Sequence, residues 1–161
     1  MGLNYNTPHT VPTIEEEIQQ HRFSSPAHRV QVNIIYTAAW INQQTAWALR
    51  PFDLTIQQFN ILRILRGRGS EPSTVRLLTD RMLDKMSNAS RLVDKLCDKG
   101  YARRERSETD RRRVDIIITS DGLQAIDVAS RAVTEQMNEN FGDLTTAEYD
   151  QLSTLLDRLR S

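Results

Sequence analysis

The stretch from Ser73 to Gly122 constrains the fold of this chain more than any other part. A short amphipathic segment leads through a break into a second one, and Gly100 ends the helical pattern. Two strand-like runs follow, and the polar segment between them ends in arginines. This order predicts a helix-turn-helix followed by a β-hairpin wing, an arrangement that places its second helix in the major groove of DNA.

The second helix is predicted over Lys85–Lys99, with Asp84 as its N-cap and Gly100 as its stop. At about 100° per residue one face of this helix is apolar, and it comprises Met86, Ala89, Leu92, Val93, Leu96 and Cys97. The opposite face carries Ser87, Asn88, Arg91, Asp94, Lys95 and Asp98. Small polar side chains at its start suit a major groove, and Arg91 is placed to reach a guanine edge or a phosphate. Taken alone, the same pattern also fits a solvated helix face.

The wing is predicted as two strands, Tyr101–Arg106 and Arg113–Thr119, around a loop from Ser107 to Arg112. Adjacent arginines at a hairpin tip suit a narrow minor groove, where the negative potential is strongest. Asp110 is a poor partner for phosphate, so we expect it to hold one arginine through a bidentate pair. The alternative is an exposed hairpin whose charges only keep its edge soluble.

The remaining segments are predicted to be mainly helical. Residues 1–12 are expected to form a flexible arm and residues 13–54 the N-terminal helices. Residues 55–122 form the winged helix-turn-helix region, and residues 123–161 form the C-terminal helices. Capping boxes begin at Thr13, Thr55 and Thr145, and a helix with Ser25 as its N-cap runs from Pro26 to about Leu49. Ser73 or Thr74 caps the first helix of the DNA-binding pair, whose N-terminus is placed to hold a phosphate.

An aromatic stripe on the N-terminal helix, formed by Tyr36, Trp40 and Trp47, has two interpretations. This helix is apolar around most of its circumference, which favours burial against a partner subunit. The stripe also suits the lining of a pocket for a planar organic ligand. The two roles are compatible.

Charge is distributed unevenly along a chain whose formal net charge is zero. Residues 63–113 contain 15 Lys and Arg against 8 Asp and Glu, a net charge of +7, so the remainder carries −7. This segregation concentrates positive potential where DNA is expected to lie.

The single cysteine indicates a reducing, cytoplasmic setting. Neither a secretory signal nor an apolar run near the ~18 residues of a membrane span is visible.

No pattern in the sequence favours catalysis, a metal or a cofactor. The histidines, His9, His21 and His28, lack the i,i+4 spacing of a metal site. The joint Gly67-Arg68-Gly69-Ser70 lacks the phosphate-binding loop pattern and a preceding strand. Cys97 lies at the edge of an apolar face, where a free cysteine usually acts as a small hydrophobe rather than a redox sensor.

Several of these residues also resemble the signature of the MarR family of bacterial winged-helix transcription regulators. They are Ser90-Arg91-Leu92-Val93-Asp94-Lys95-Leu96, Lys99-Gly100, Asp110-Arg111-Arg112, Val114 and Thr119 with Gly122. The resemblance implies a homodimer, with the terminal helices as its dimerisation region. It further implies a pseudo-palindromic double-stranded operator and usually a repressor relieved by a small molecule or by an oxidant. The aromatic stripe described above suits a small aromatic or phenolic effector. Cys97 departs from the acidic or polar residue that is commoner at this position in the family.

The residue pattern and the resemblance together define a set of expected DNA-binding residues. These are Ser73, Thr74, Lys85, Ser87, Asn88, Ser90, Arg91, Lys95, Arg104, Asp110, Arg111, Arg112 and Arg113. Two other functions remain open: a DNA-binding protein without ligand sensing, either architectural or activating, and a protein-interaction module on a winged-helix scaffold.

Overall fold

The computed structural model describes residues 12–69, 71–107, 113–141 and 144–161. These residues are mainly helical and include one two-stranded antiparallel sheet, which confirms the predicted fold class. The chain divides into two compact units, the first ending at Asn42 and the second beginning at Gln43. None of the described helices is both long enough and apolar enough to cross a bilayer.

The first unit contains helix α1, Ile14–Glu17, and the N-terminal part of helix α2, Pro26–Leu49. The predicted capping box at Thr13 is confirmed, because the Glu16 carboxylate accepts from the Thr13 N–H at 2.7 Å. Helix α1 ends after four residues, at Glu17. Gln19 adopts a left-handed φ of +54°, which is incompatible with a continuing helix. Arg29 of α2 holds Glu15 through two hydrogen bonds, of 2.5 and 3.1 Å.

The second unit begins with the end of α2 and a short 3-10 turn at Arg50–Phe52. Its helices are α3 (Ile56–Arg68), α4 (Val75–Arg81), α5 (Ala89–Asp98), α6 (Ser120–Asn140) and α7 (Thr146–Leu159). Strands β1 (Ala102–Arg106) and β2 (Val114–Ile118) pair antiparallel between α5 and α6, with Ala102 opposite Ile118. The capping boxes predicted at Thr55 and Thr145 are both present.

The core of the second unit lies where α3, α4, α5, β2 and α6 meet. Each element contributes at least one side chain with no exposed surface, among them Leu62, Leu78, Val93, Leu96, Ile116 and Ile126. Truncating one such side chain to Ala typically costs about 2–5 kcal/mol, because the lost burial is accompanied by a cavity. The core therefore holds the helix-turn-helix and the wing as one packed body.

Backbone hydrogen bonds tie the wing to the helices on both sides. Ser73, just before α4, exchanges two backbone hydrogen bonds with Ile116 of β2, at 3.0 and 2.6 Å. At the other end, the Thr119 hydroxyl accepts from the Gly122 N–H at 3.0 Å and donates to the Gly100 carbonyl at 2.6 Å. Gly122 lies so close to the chain that a Cβ there would be 2.0 Å from the Tyr101 carbonyl oxygen.

Helix α7 leaves its apolar side uncovered. Leu152, Leu155 and Leu159 are 49%, 50% and 60% exposed, and no residue of this helix is buried. The three leucines recur at three- and four-residue spacing, so they lie on one face of the helix. An uncovered stripe of this kind is typical of a surface that packs against another chain.

Candidate nucleic-acid interface

Helix α5 is the second helix of the helix-turn-helix and begins later than its sequence predicts. Asn88 is its N-cap, and the Asn88 Oδ1 accepts from the Arg91 N–H at 3.1 Å. The predicted start at Lys85 with Asp84 as the cap is therefore wrong. Short polar side chains near a helix start compete for backbone N–H groups, and the one nearest the helix closes the cap here. The predicted stop is confirmed, since Gly100 has a left-handed φ of +72°.

Asp84 closes a turn of its own between α4 and α5. Its Oδ1 accepts from the Met86 N–H at 3.0 Å, and its Oδ2 accepts from the Ser87 hydroxyl at 2.6 Å. The bond from Ser87 is the main reason why the pKa of Asp84 lies below its ordinary value. Met86 is outside the helix and 94% exposed, which corrects its assignment to the apolar face. The other members of that face are buried or half-buried: Ala89, Leu92, Val93, Leu96 and Cys97.

The outer face of α5 presents cations to solvent. Arg91 and Lys95 are exposed, and within the described residues neither side chain forms an ion pair. A shallow groove of about 270 Å³ runs along this face, lined by Gln57, Ser87, Asn88, Arg91, Leu92 and Lys95. Four predicted DNA-binding residues thus share one surface: Ser87, Asn88, Arg91 and Lys95. Ser90 is exposed on the same helix.

The wing carries further cations. Its predicted tip residues Asp110, Arg111 and Arg112 lie outside the described residues. Arg113 at the start of the returning strand is held by Asp115, with Nε 2.8 Å from Oδ1 and a terminal nitrogen 3.3 Å from Oδ2. The Asp115 side chain is only 8% exposed. The sequence suggested an aspartate that steadies a wing arginine, but it did not single out this pair.

Arg104 of β1 connects the wing to α5. Its guanidinium donates to the Asp94 carboxylate at 2.7 Å, and it lies 3.4 Å from the Ser90 carbonyl oxygen. The Arg104 side chain is 34% exposed. A guanidinium engaged in this way positions the helix against the strand, a role that the expectation of a direct DNA contact did not include.

The sequence predicts that Ser73 and Thr74, just before α4, both bind DNA, but the structure gives the two residues different surroundings. Thr74 caps α4, its hydroxyl accepting from the Leu77 N–H at 3.2 Å. Ser73 has no exposed surface, and its backbone is paired with Ile116. Ser73 therefore presents no surface to a phosphate in this structure, whereas its expected DNA contact requires an exposed side chain. Lys85 is exposed, and its ammonium donates to the Asp80 carbonyl.

A cavity of about 830 Å³ lies among the end of α2, the 3-10 turn, the start of α3 and the end of α5. Its lining combines the aromatic ring of Trp47 with charged residues, which are Arg50, Asp53, Lys95, Asp98 and Lys99. The Lys99 ammonium is 2.8 Å from Oδ2 of Asp53, and this bond is the main cause of the lowered pKa of Asp53. The cavity thus has one wall on the same helix that presents the outer cationic face.

The other two residues of the aromatic stripe, Tyr36 and Trp40, belong to the first unit. The Tyr36 hydroxyl donates to Glu17 at 2.5 Å, and this bond raises the pKa of the Tyr36 phenol. Trp47 is the member of the stripe that lines the cavity of the second unit.

Cys97 is half-buried on α5. Burial is the main cause that raises the pKa of its thiol above the ordinary value, and Arg104 opposes this shift only in part. A raised pKa disfavours the thiolate, the form that reacts with oxidants. Over the described residues, no cluster of three or more histidine, cysteine or acidic side chains has the arrangement of a metal site.

The helix pair α4 and α5, followed by the hairpin β1–β2, defines a winged helix-turn-helix protein. The model of the MarR family matches residues 52–113, from the 3-10 turn to the start of the second wing strand. The winged helix-turn-helix region of this chain thus matches the MarR family.

Individual relatives agree with this assignment. The HTH-type transcriptional regulator SarZ of Staphylococcus haemolyticus is 26% identical over 125 residues, 78% of this chain and 82% of that protein. The HTH-type transcriptional repressor IacR of Pseudomonas putida is 26% identical over 109 residues, 68% of this chain and 64% of that protein. The crystal structure of CouR from Rhodococcus jostii RHA1 bound to p-coumaroyl-CoA matches with a TM-score of 0.70 at 19% identity. That match covers 85% of this chain and 95% of CouR and shows the fold.

Proposed function

We propose that this protein is a homodimeric, sequence-specific repressor that binds a pseudo-palindromic double-stranded operator and is released by a small organic effector. It has no catalytic role in this proposal. The observation that carries it is the outer face of α5, where Arg91 and Lys95 are exposed without ion-pair partners in the described part of the chain. Exposed, unpaired cations on the second helix of a winged helix-turn-helix are suited to DNA bases and phosphates.

In this proposal, the residues on α5 and just before it either read DNA bases or bind the DNA backbone. Arg91 has a free guanidinium that is able to form two bonds to a guanine. The Asn88 Oδ1 is used by the cap, so its amide nitrogen remains to donate to an acceptor on a base edge. Ser87 joins these two at the start of the helix. Ser90 and Lys95 contact the backbone or flanking base edges in this arrangement.

Residues outside α5 bind the DNA backbone or hold the protein elements that face it. Thr74 and Lys85 approach phosphates at the edge of the helix pair, and Arg104 keeps α5 against the wing. Arg113, held by Asp115, sets the direction of the chain where it leaves the tip of the wing. At the tip, we propose that Arg111 and Arg112 probe the minor groove while Asp110 orients Arg112.

The terminal helices supply the proposed dimer interface, within residues 13–54 and 123–161. The exposed stripe of Leu152, Leu155 and Leu159 supports this assignment, because burying it against a second copy removes it from water. A two-fold dimer places its two α5 helices in successive major grooves about 10 bp apart. SarZ and IacR, which resemble this chain, are named as a transcriptional regulator and a repressor.

We place the effector in the second-unit cavity, with Trp47 as an aromatic wall. Arg50, Lys95 and Lys99 supply three cations against the carboxylates of Asp53 and Asp98, so an aromatic or phenolic molecule with an anionic group suits this lining. CouR, which shares the fold, binds p-coumaroyl-CoA. An effector changes DNA binding only if it binds the two states with different affinity.

Titration of the purified protein against DNA flanking its own gene, at several salt concentrations, tests the proposal. We expect saturable nanomolar binding that outcompetes bulk DNA, with a salt slope that reports the number of phosphate contacts. Binding that is weak and blind to sequence at every operator candidate, including sites selected from random DNA, would favour the interaction-module alternative. Specific binding that no effector changes would favour a DNA-binding protein without ligand sensing.

A further inference from the structure

Two large apolar side chains stand in solvent beside the proposed reading helix. Leu83 is 83% exposed and Met86 is 94% exposed, more than any other large hydrophobic side chain in the described part of the chain. Both lie in the turn between α4 and α5, and neither is needed for the core. Apolar side chains gain free energy when they leave water, so these two are available to pack against an apolar group that approaches the turn.

The turn that carries them is held from both ends. Met82 immediately before it is 1% exposed, and the Leu83 N–H donates to Oδ1 of Asn60 on α3 at 3.0 Å. Asp84 then accepts from the Met86 N–H and the Ser87 hydroxyl. Leu83 and Met86 are therefore fixed at their backbones while their side chains project outwards.

We propose that Leu83 and Met86 read thymine, by packing against the C5-methyl groups that thymines expose in the major groove. This inference rests on the proposed function, because it requires α5 to enter that groove. The thymine methyl is the apolar group on the major-groove edges of the base pairs, and apolar side chains are its usual partners. Met86 immediately precedes Ser87 and Asn88, so it accompanies them when they approach the bases.

The surroundings of the pair favour DNA over a protein partner. Arg81, Lys85 and Arg91 lie within a few positions of the two side chains along the chain, and all three are exposed. Two side chains separated by Asp84 and Lys85 do not form a continuous apolar stripe of the kind seen on α7. A specific protein interface generally needs about 800 Å² from each partner, which two side chains do not supply.

Single replacement of thymine by deoxyuridine in the selected operator tests the proposal, because it removes only the C5-methyl group. Each thymine is replaced in turn, and affinity is measured for the wild type, Leu83→Ala and Met86→Ala. With the wild type, we expect an affinity loss of about fourfold at one or two thymines per half-site, equivalent to one buried methylene. In the variant that lacks the contacting side chain, the same replacement should have no further effect.

Met86→Leu provides a matched control, because an apolar side chain remains and the thymine dependence should persist. Unchanged thermal melting of the variants confirms that they fold, as expected for exposed positions. If no thymine replacement weakens wild-type binding, Leu83 and Met86 do not read thymine. The same conclusion follows if each replacement costs both alanine variants as much affinity as it costs the wild type. If the wild type binds no DNA specifically, the proposed function is wrong and this inference falls with it.

Discussion

The guanidinium of Arg104 on the first wing strand lies 2.7 Å from the carboxylate of Asp94 on α5. The same group approaches the backbone of Ser90, so one side chain fixes the angle between the helix and the wing. Arg104 was expected to bind DNA directly. We propose from these contacts that Arg104 positions α5, and the two roles differ in their dependence on salt.

Arg104→Gln should therefore lower operator affinity without changing the salt slope of binding. A residue that neutralises a phosphate reduces the slope by about 0.9 when it is removed, whereas a positioning residue leaves the number of released ions unchanged. Fluorescence anisotropy at several salt concentrations measures this difference. Arg103→Gln serves as the control, because Arg103 pairs with Glu105 on its own strand. A reduced slope for Arg104→Gln alone would restore the direct phosphate contact.

Arg91→Ala and Lys95→Ala should weaken DNA binding in different ways. We expect Arg91→Ala to cost about 1–3 kcal/mol and to relax specificity at one base pair, as for a base-reading arginine. Lys95→Ala should weaken all sequences to a similar extent and reduce the salt slope by about 1, as for a phosphate contact. Binding to a panel of operator variants distinguishes the two patterns. If both variants retain full affinity, the outer face of α5 is not the reading surface.

Gly122→Ala should strongly destabilise the protein. The Cβ of an alanine at position 122 would lie 2.0 Å from the Tyr101 carbonyl oxygen. This oxygen is held in place because it accepts a hydrogen bond from the Thr119 N–H. Gly67→Ala is the opposite case, because Gly67 lies in α3 with nothing within 4 Å of its Cβ position. Alanine there should stabilise the helix by about 0.5–1 kcal/mol. Thermal melting of both variants checks this contrast, and similar melting temperatures would contradict it.

The Cys97 thiol should react slowly with alkylating reagents near neutral pH. Burial raises its pKa in the folded protein, so the thiol stays protonated over a pH range in which an unfolded cysteine has begun to ionise. The stability associated with this shift is present below the unfolded pKa and declines as pH rises through the folded value. Alkylation rates of native and denatured protein across pH give both profiles. A native rate that equals or exceeds the denatured rate at pH 7 would indicate an activated thiol.

Local signals in the sequence were sufficient to predict most of the helix boundaries. The capping boxes at Thr13, Thr55 and Thr145 and the stop at Gly100 are all present, because each depends on residues within one helical turn. The start of α5 was placed too early. Asp84, Ser87 and Asn88 all carry side chains that can cap, and the choice among them depends on the turn that they form together.

Features that depend on packing were harder to predict from the sequence. Ser73 and Thr74 are adjacent and chemically similar, yet one is buried under β2 and the other caps α4. Arg104 follows Arg103, and its contacts with Asp94 and Ser90, ten and fourteen positions earlier in the chain, distinguish it. Such roles are set by which face of a strand meets the core, and a one-residue change in register reverses that face.

The backbone pairing of Ser73 with Ile116 limits how this protein is able to change shape. Both residues have no exposed surface, so parting them would strand peptide groups where water cannot replace the lost bonds. The root of the wing is thus a poor hinge. A signal that alters operator fit would have to move the helix pair and its hairpin together as one rigid body. In a dimer, the quantity that changes would then be the distance between the two copies of α5.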